Sequence, residues 1–282
     1  MLRKFLNWLS GSQGVNLLIL MAYFVMVVMP HEEVGLMISQ LFRPYSRDTY
    51  NFVLMLCSLG GLFIYMYMVY KNHNKPASTL VISYLVLNLL LAVVCFKVLF
   101  VMNVEAIHFV QYAIFAILCF PLVNNYNLTL VYTTIAGAID EAYQFYVLAP
   151  ERTEYYDFND VIINLIGGVF GLILLRSLSL GTFRFTPKEF LRSKHFKILA
   201  VFFAVIIGLF ASGILVKNYD AQDLYAKFWL VKTSVVGFWQ ERPAYNFRFH
   251  IVQPWEGLGI ICLLLIIYSR LYKGVPFLNE SS

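Results

Sequence analysis

Two adjacent carboxylates, Asp140 and Glu141, stand inside an otherwise apolar run. Ionisable side chains in such a run are costly unless they have a partner, water or a function. Four more carboxylates and Arg152 follow before Gly171. Hard oxygen ligands of this kind suit Mg2+, Ca2+ or Mn2+. His108 would extend the choice to zinc. Asp140, Glu141 and His108 are therefore the candidate metal ligands, with a divalent cation as the implied cofactor. Without a metal, the same three are the candidate catalytic groups, because crowded carboxylates share protons and offer a general acid–base pair. The fork of Arg152 suits a phosphate or a carboxylate. A purely structural network would use the same residues, with Asp140 paired to His108 and Arg152 to Asp157 or Asp160.

Helices must position these groups. In the segment 107–123, His108 and Tyr112 follow Glu105 at i+3 and i+7, with Gln111 beside them. In 128–149, Thr133, Gly137, Asp140, Glu141 and Gln144 share one face. In 158–178, Asp160, Asn164, Gly167 and Gly171 follow Asp157 on one face. Each segment thus has one polar stripe, and the stripes are richest toward the same end. The link 124–127 is so short that the first two segments must be antiparallel neighbours. If the second ends near Pro150, Asp140 lies about 14 Å below that end. The expectation is an outward-facing funnel, wet at the mouth and narrowing to Asp140 and Glu141. Its ligand-binding set is His108, Tyr112, Asp140, Glu141, Gln144, Arg152, Asp157, Asp160 and Asn164. The glycines at 167–171 form a small-xxx-small pattern that permits close helix approach.

The rest of the chain places this set in a membrane. Of 282 residues, 60% are hydrophobic and 13% charged, and the mean hydropathy is +0.70. That composition excludes an ordinary soluble globule. It implies an all-α, polytopic integral membrane bundle of about eight transmembrane helices, near 13–30, 51–70, 78–102, 107–123, 128–149, 158–178, 197–216 and 256–272. Three parts follow: helices one to three in 1–102, a core of helices four to six in 103–180, and 181–282 with a basic inner loop, helix seven, an aromatic outer loop 217–255 and helix eight. No small-x-small cleavage site follows Arg3 and Lys4, so the first helix reads as retained. With the N-terminus inside, the inner segments hold twelve lysines and arginines and the three short outer segments three. That bias puts both termini in the cytoplasm. The basic loop 181–197 would lie against anionic headgroups, and no nucleic-acid partner is implied. Residues 245–251 alternate with period two, which suggests a strand carrying Arg248 and His250 on one face. The outer loop is then an interfacial aromatic cap, or a lid whose Arg242, Arg248 or His250 reaches an anion. The four cysteines lie in apolar runs without CxxC spacing and read as packing residues.

The ordered set between roughly 100 and 178 resembles the VanZ-like family, named for a teicoplanin-resistance membrane protein. The matching pieces are His108-x3-Tyr112, Asp140-Glu141-x2-Gln144, Pro150-x-Arg152 and Asp160-x3-Asn164-x2-Gly167-x3-Gly171, with Asp157 as the aspartate after the arginine. Ala142-Tyr143 and Thr153 stand where the family commonly has a histidine and a glycine. The resemblance implies a multi-pass protein of the bacterial cytoplasmic membrane, linked in some members to lower glycopeptide susceptibility. Its partners would be membrane lipids, an envelope-precursor lipid or a glycopeptide-related ligand. The expected function is binding of a lipid-linked or anionic envelope headgroup in the funnel. The alternative is a metal-assisted or acid–base hydrolase or transferase acting on such a lipid. A transporter with Asp140 as a proton site would need a polar path to the cytoplasm, and the inner halves of these helices offer little beyond Thr133 and Thr134.

Overall fold

The computed structural model describes residues 2–30, 34–35, 37, 40–41, 47–72, 78–101, 103–148, 150–151, 153–182, 185–218, 226–233, 235, 237–242, 247–271 and 273. Helix α1 covers Leu2–Gly11 and α2 covers Gln13–Tyr23, continued by a π-helical turn over Phe24–Val28. The two are bent by 114° at Ser12. Helix α1 buries Leu6 and Leu9 and exposes Phe5 and Trp8. It was not foreseen, because its amphipathic pattern is too short and too charged to register as a span.

The long helices are α3 (Arg47–Asn72) and α4 (Ser78–Val98). After a 3-10 turn come α5 (Ile107–Val123) and α6 (Tyr126–Tyr143), the latter extended by a π-helical turn over Gln144–Leu148. Helix α7 covers Phe158–Ser177, α8 Pro187–Arg192, α9 Lys194–Ala211 and α10 Pro254–Tyr268. Four helices are long and apolar enough to cross a membrane: Thr49–Lys71, Thr79–Val98, Phe158–Ser177 and Lys194–Ala211. The bent N-terminal pair makes a fifth if counted as one span. Ile107–Val123 and Pro254–Tyr268 are apolar but shorter. Four or five of the eight expected spans therefore meet the length and hydropathy of a full crossing among the described residues.

Helix α7 is the axis of the fold. Within its apolar window 94% of the residues are buried, against 6% for α3. Its sequence is hydrophobic on every side, the pattern of a helix enclosed by protein. Helices α3, α4, α5, α6 and α10 all pack on it. The glycines at 167–171 permit that enclosure. A methyl group at Gly167 would lie 2.9 Å from the His108 carbonyl oxygen, and one at Gly168 would lie 2.7 Å from Thr133 Cγ2. At Gly171 a methyl would collide with the Ala113 backbone. Gly167 and Gly171 thus serve α5, while Gly168 serves α6. A polar relay ties the other side, since Asn88 Nδ2 donates to Ile166 O (3.1 Å) and Tyr268 Oη donates to Asn88 Oδ1 (2.7 Å). By contrast α3, α4 and α9 leave large apolar side chains exposed, among them Phe63, Leu90 and Ile207.

Between α9 and α10 the chain is irregular, with two small sheets. Strand β1 (Leu215–Asn218) pairs in parallel with β2 (Phe228–Val231), and β3 (Gln240–Arg242) pairs antiparallel with β4 (Phe247–Phe249). The expected strand in 245–251 is therefore present, in register Glu241↔Arg248. Helix α8 opens with a capping box between Thr186 and Glu189. The hydrogen bonds with Thr186 hold the exposed Glu189 carboxyl below its usual range.

Candidate functional site

The polar residues singled out in the three stripes meet where α5 begins, α6 ends and α7 begins. His108 lies in the first turn of α5, with Tyr112 one turn on and its ring parallel to the imidazole (7° between planes). Asp140 and Glu141 lie in the last turn of α6. Asp157 caps α7, accepting from Asn159 N (2.9 Å) and Asp160 N (3.3 Å). Its carboxyl, above the apolar helix, is raised to about 8 by burial and then by the neighbouring Asp160, against the two backbone N–H donors. Asp160 and Asn164 point from the first two turns of α7.

Their contacts are specific. Tyr112 Oη donates to Asp140 Oδ2 at 3.1 Å. Gln144 Nε2 donates to Glu141 Oε1 at 3.1 Å. His108 Nδ1 lies 2.8 Å from Asn164 Oδ1. With Asn164 Oδ1 as the acceptor Nδ1 carries a proton, and in the neutral imidazole Nε2 then keeps its lone pair. That lone pair faces Asp160 Oδ2 at 3.6 Å. Ligand atoms of His108, Glu141 and Asp160 all lie within 4.8 Å of one another. The expected Asp140–His108 pair is thus replaced by two others, Asp140 with Tyr112 and His108 with Asn164. The convergent group of possible ligands holds Asp160 where Asp140 was expected.

The funnel is closed. His108, Tyr112, Asp140, Glu141 and Asn164 are all buried, and the Asp160 side chain is 14% exposed. Tyr156, itself buried beside Glu141 and Asp140, donates to Ala138 O at 2.6 Å. Strand β2 crosses above: Tyr155 bridges Val231, Lys232 N donates to Glu154 O (2.8 Å), and Tyr146 Oη donates to Trp229 O (2.9 Å). The Lys232 ammonium donates to the carbonyls of Pro150 and Thr153. The reason is physical. The aromatic residues of the described stretch 226–233 favour packing on the mouth over standing in water.

Several expected residues lie elsewhere. Gln111 turns away, donating to Val27 O at 3.1 Å. Arg248 is exposed and pairs with the exposed Glu241 at 2.7 Å. It does not enter the site. His250 leaves the strand and turns inward, where Nε2 meets Glu256 at 2.9 Å, Nδ1 meets Phe238 O at 2.8 Å, and the ring stacks on Phe238. Arg248 and His250 therefore do not share a destination. Arg152 and the Arg242 side chain lie outside the described residues.

Asn159 was missed. Its Nδ2 donates to Leu99 O (3.0 Å) and His250 O (2.7 Å), and its Oδ1 accepts from Val252 N (2.9 Å). This buried amide latches the connection before α10 onto the end of α4. Its three partners are remote in sequence, so no local pattern marks it. Lys232 and Tyr156 were missed for the same reason.

No family model, curated protein or solved structure matches this chain.

Proposed function

We propose that this chain is a VanZ-like, multi-pass protein of the bacterial cytoplasmic membrane whose buried polar centre binds the headgroup of a lipid-linked or anionic envelope component. One observation carries the reading: polar stripes from α5, α6 and α7 converge at a single end, under a roof of aromatic segments. A carboxylate and histidine cluster of this density inside apolar helices is costly unless it has a ligand. The basic residues of 181–197 support an orientation with both termini in the cytoplasm, which turns the polar centre outward. The hydroxyl and amide groups of Tyr112, Gln144 and Asn164 supply complementary contacts for phosphate and sugar, and Arg152 is the cation that the sequence offers for the phosphate. Opening of the β2 roof admits the headgroup. The reading extends to an influence on glycopeptide susceptibility through that headgroup.

A second reading uses the same centre as a hydrolase or transferase. What favours it is the His108, Glu141 and Asp160 grouping, which can hold a nucleophilic water next to a phosphate.

Binding of lipid-linked envelope precursors to nanodisc-embedded protein, followed by native mass spectrometry, tests the first reading. Asp140→Asn and Arg152→Ala are expected to weaken binding at least tenfold and to change glycopeptide susceptibility of the host. Full retention of both in well-folded protein overturns it. Turnover of the bound lipid in the presence of divalent cations would favour the second.

A further inference from the structure

We propose that His108, Glu141 and Asp160 bind one divalent transition-metal ion, Zn2+ or Mn2+, at the junction of α5, α6 and α7. The proposal deepens the headgroup reading, because an ion there leaves a coordination position for a headgroup oxygen or a water.

The geometry has three parts, the second and third both set by the orientation of the Asn164 amide. First, the ligand atoms of the three residues already lie within 4.8 Å of one another. Two ligands of a tetrahedral zinc stand about 3.3 Å apart, and His108 Nε2 and Asp160 Oδ2 stand at 3.6 Å. That distance is too long for a hydrogen bond and close to the separation of co-ligands. Closing the set would require Glu141, which now accepts from Gln144 Nε2, to turn toward the other two.

Second, the imidazole is held in the ligating tautomer. The Nδ1 proton goes to Asn164 Oδ1 at 2.8 Å, so the unprotonated Nε2 faces the carboxylates. A lone pair aimed at carboxylate oxygens is repulsive, and a cation between them reverses the sign. Metal-ligating histidines use this arrangement, with the second nitrogen donating to a fixed acceptor. Among the described residues, no lysine or arginine forms an ion pair with Glu141, Asp157 or Asp160.

Third, Asn164 Nδ2 is fully buried and has no hydrogen-bond partner. It packs beside Gly137, where a methyl group would lie 3.1 Å from it. Gly137 and Glu141 share a face of α6, one turn apart. A buried donor without a partner, on the amide whose Oδ1 meets His108, asks for an acceptor, and a metal-bound water or headgroup oxygen would be one. The donor set of one imidazole and two carboxylates, with a position open, belongs to the catalytic kind of zinc site and excludes a closed structural one.

The test is metal content of the full chain in phosphatidylcholine nanodiscs, which contain no envelope precursor. Samples dialysed against Zn2+ or Mn2+ are counted by inductively coupled plasma mass spectrometry. One ion per wild-type chain is expected. Glu141→Gln and Asp160→Asn are each expected to lower occupancy at least tenfold. Asn164→Ala keeps all three ligands and is expected to weaken affinity 10–100-fold, as loss of an orienting partner does. Should a variant fold poorly, the wild type still decides: its melting temperature must rise with metal, and bound Co2+ must show visible absorption of a four- or five-coordinate N/O site. Absence of stoichiometric metal in the wild type, or unchanged occupancy in folded Glu141→Gln, overturns the site. Precursor binding is measured separately, so loss of the metal site leaves the headgroup reading standing or falling on its own assay.

Discussion

His108 and Asn164 share a hydrogen bond of 2.8 Å between α5 and α7. One turn below, the His108 carbonyl lies where a methyl on Gly167 would touch it. Packing and polar geometry are therefore set by the same helix contact. A side chain that spreads these helices also moves the imidazole away from the carboxylates of α6 and α7.

Gly171→Ala is expected to destabilise the protein by about 1–3 kcal/mol, because the added methyl meets the Ala113 backbone and not a movable side chain. Gly60→Ala, in α3 with open space around it, is the control. It is expected to be neutral or to stabilise by up to about 1 kcal/mol. Thermal unfolding of both in one detergent or nanodisc checks the contrast, and equal shifts would contradict a tight α5–α7 seam.

Asn159→Ala removes three hydrogen bonds from buried backbone groups of Leu99, His250 and Val252. A loss of about 2–4 kcal/mol is expected. Hydrogen exchange should rise at 247–253 before it rises in α7. Uniform loss of protection throughout the chain would show that the amide is not a local latch.

Arg248→Ala should change melting temperature by less than about 0.5 kcal/mol equivalent, since its partner Glu241 is exposed and such pairs contribute little. Headgroup binding should also be unchanged. A strong binding defect would return Arg248 to the site.

Tyr112→Phe removes the hydroxyl that donates to Asp140 inside a dry contact. A cost of about 1–3 kcal/mol is expected from the Asp140 oxygen left without that donor. Asp140→Asn combined with Tyr112→Phe should cost less than the two separate changes added together, because the pair is one interaction.

The three polar stripes were legible in the sequence because helical spacing alone assigns residues to a face. His108, Asp140, Glu141, Asp160 and Asn164 do converge. The pairing among them was not legible. Which carboxylate faces the imidazole depends on the rotation of α6 against α7, and Gly168 and Gly137 fix that rotation only once Thr133 and Asn164 sit against them. The roof was invisible for a different reason. Tyr155 with Val231, and Lys232 with Thr153, join segments about eighty residues apart, and neither partner belongs to a local pattern. The strand at Phe247–Phe249 was visible by its alternation, but the turn that sends His250 inward follows from Asn159 and Glu256.

Helix α7 has almost no surface of its own, and this sets an order of assembly. In a bilayer, Asp160 and Asn164 would meet hydrocarbon until α5 and α6 cover them, at a cost that polar groups in lipid always carry. The central helix can settle only into a slot that its neighbours have already made. Maturation of the polar centre is therefore a closing step: a chain truncated after Ser177 would carry α3, α4, α5 and α6 yet lack the α10 wall and the β2 roof.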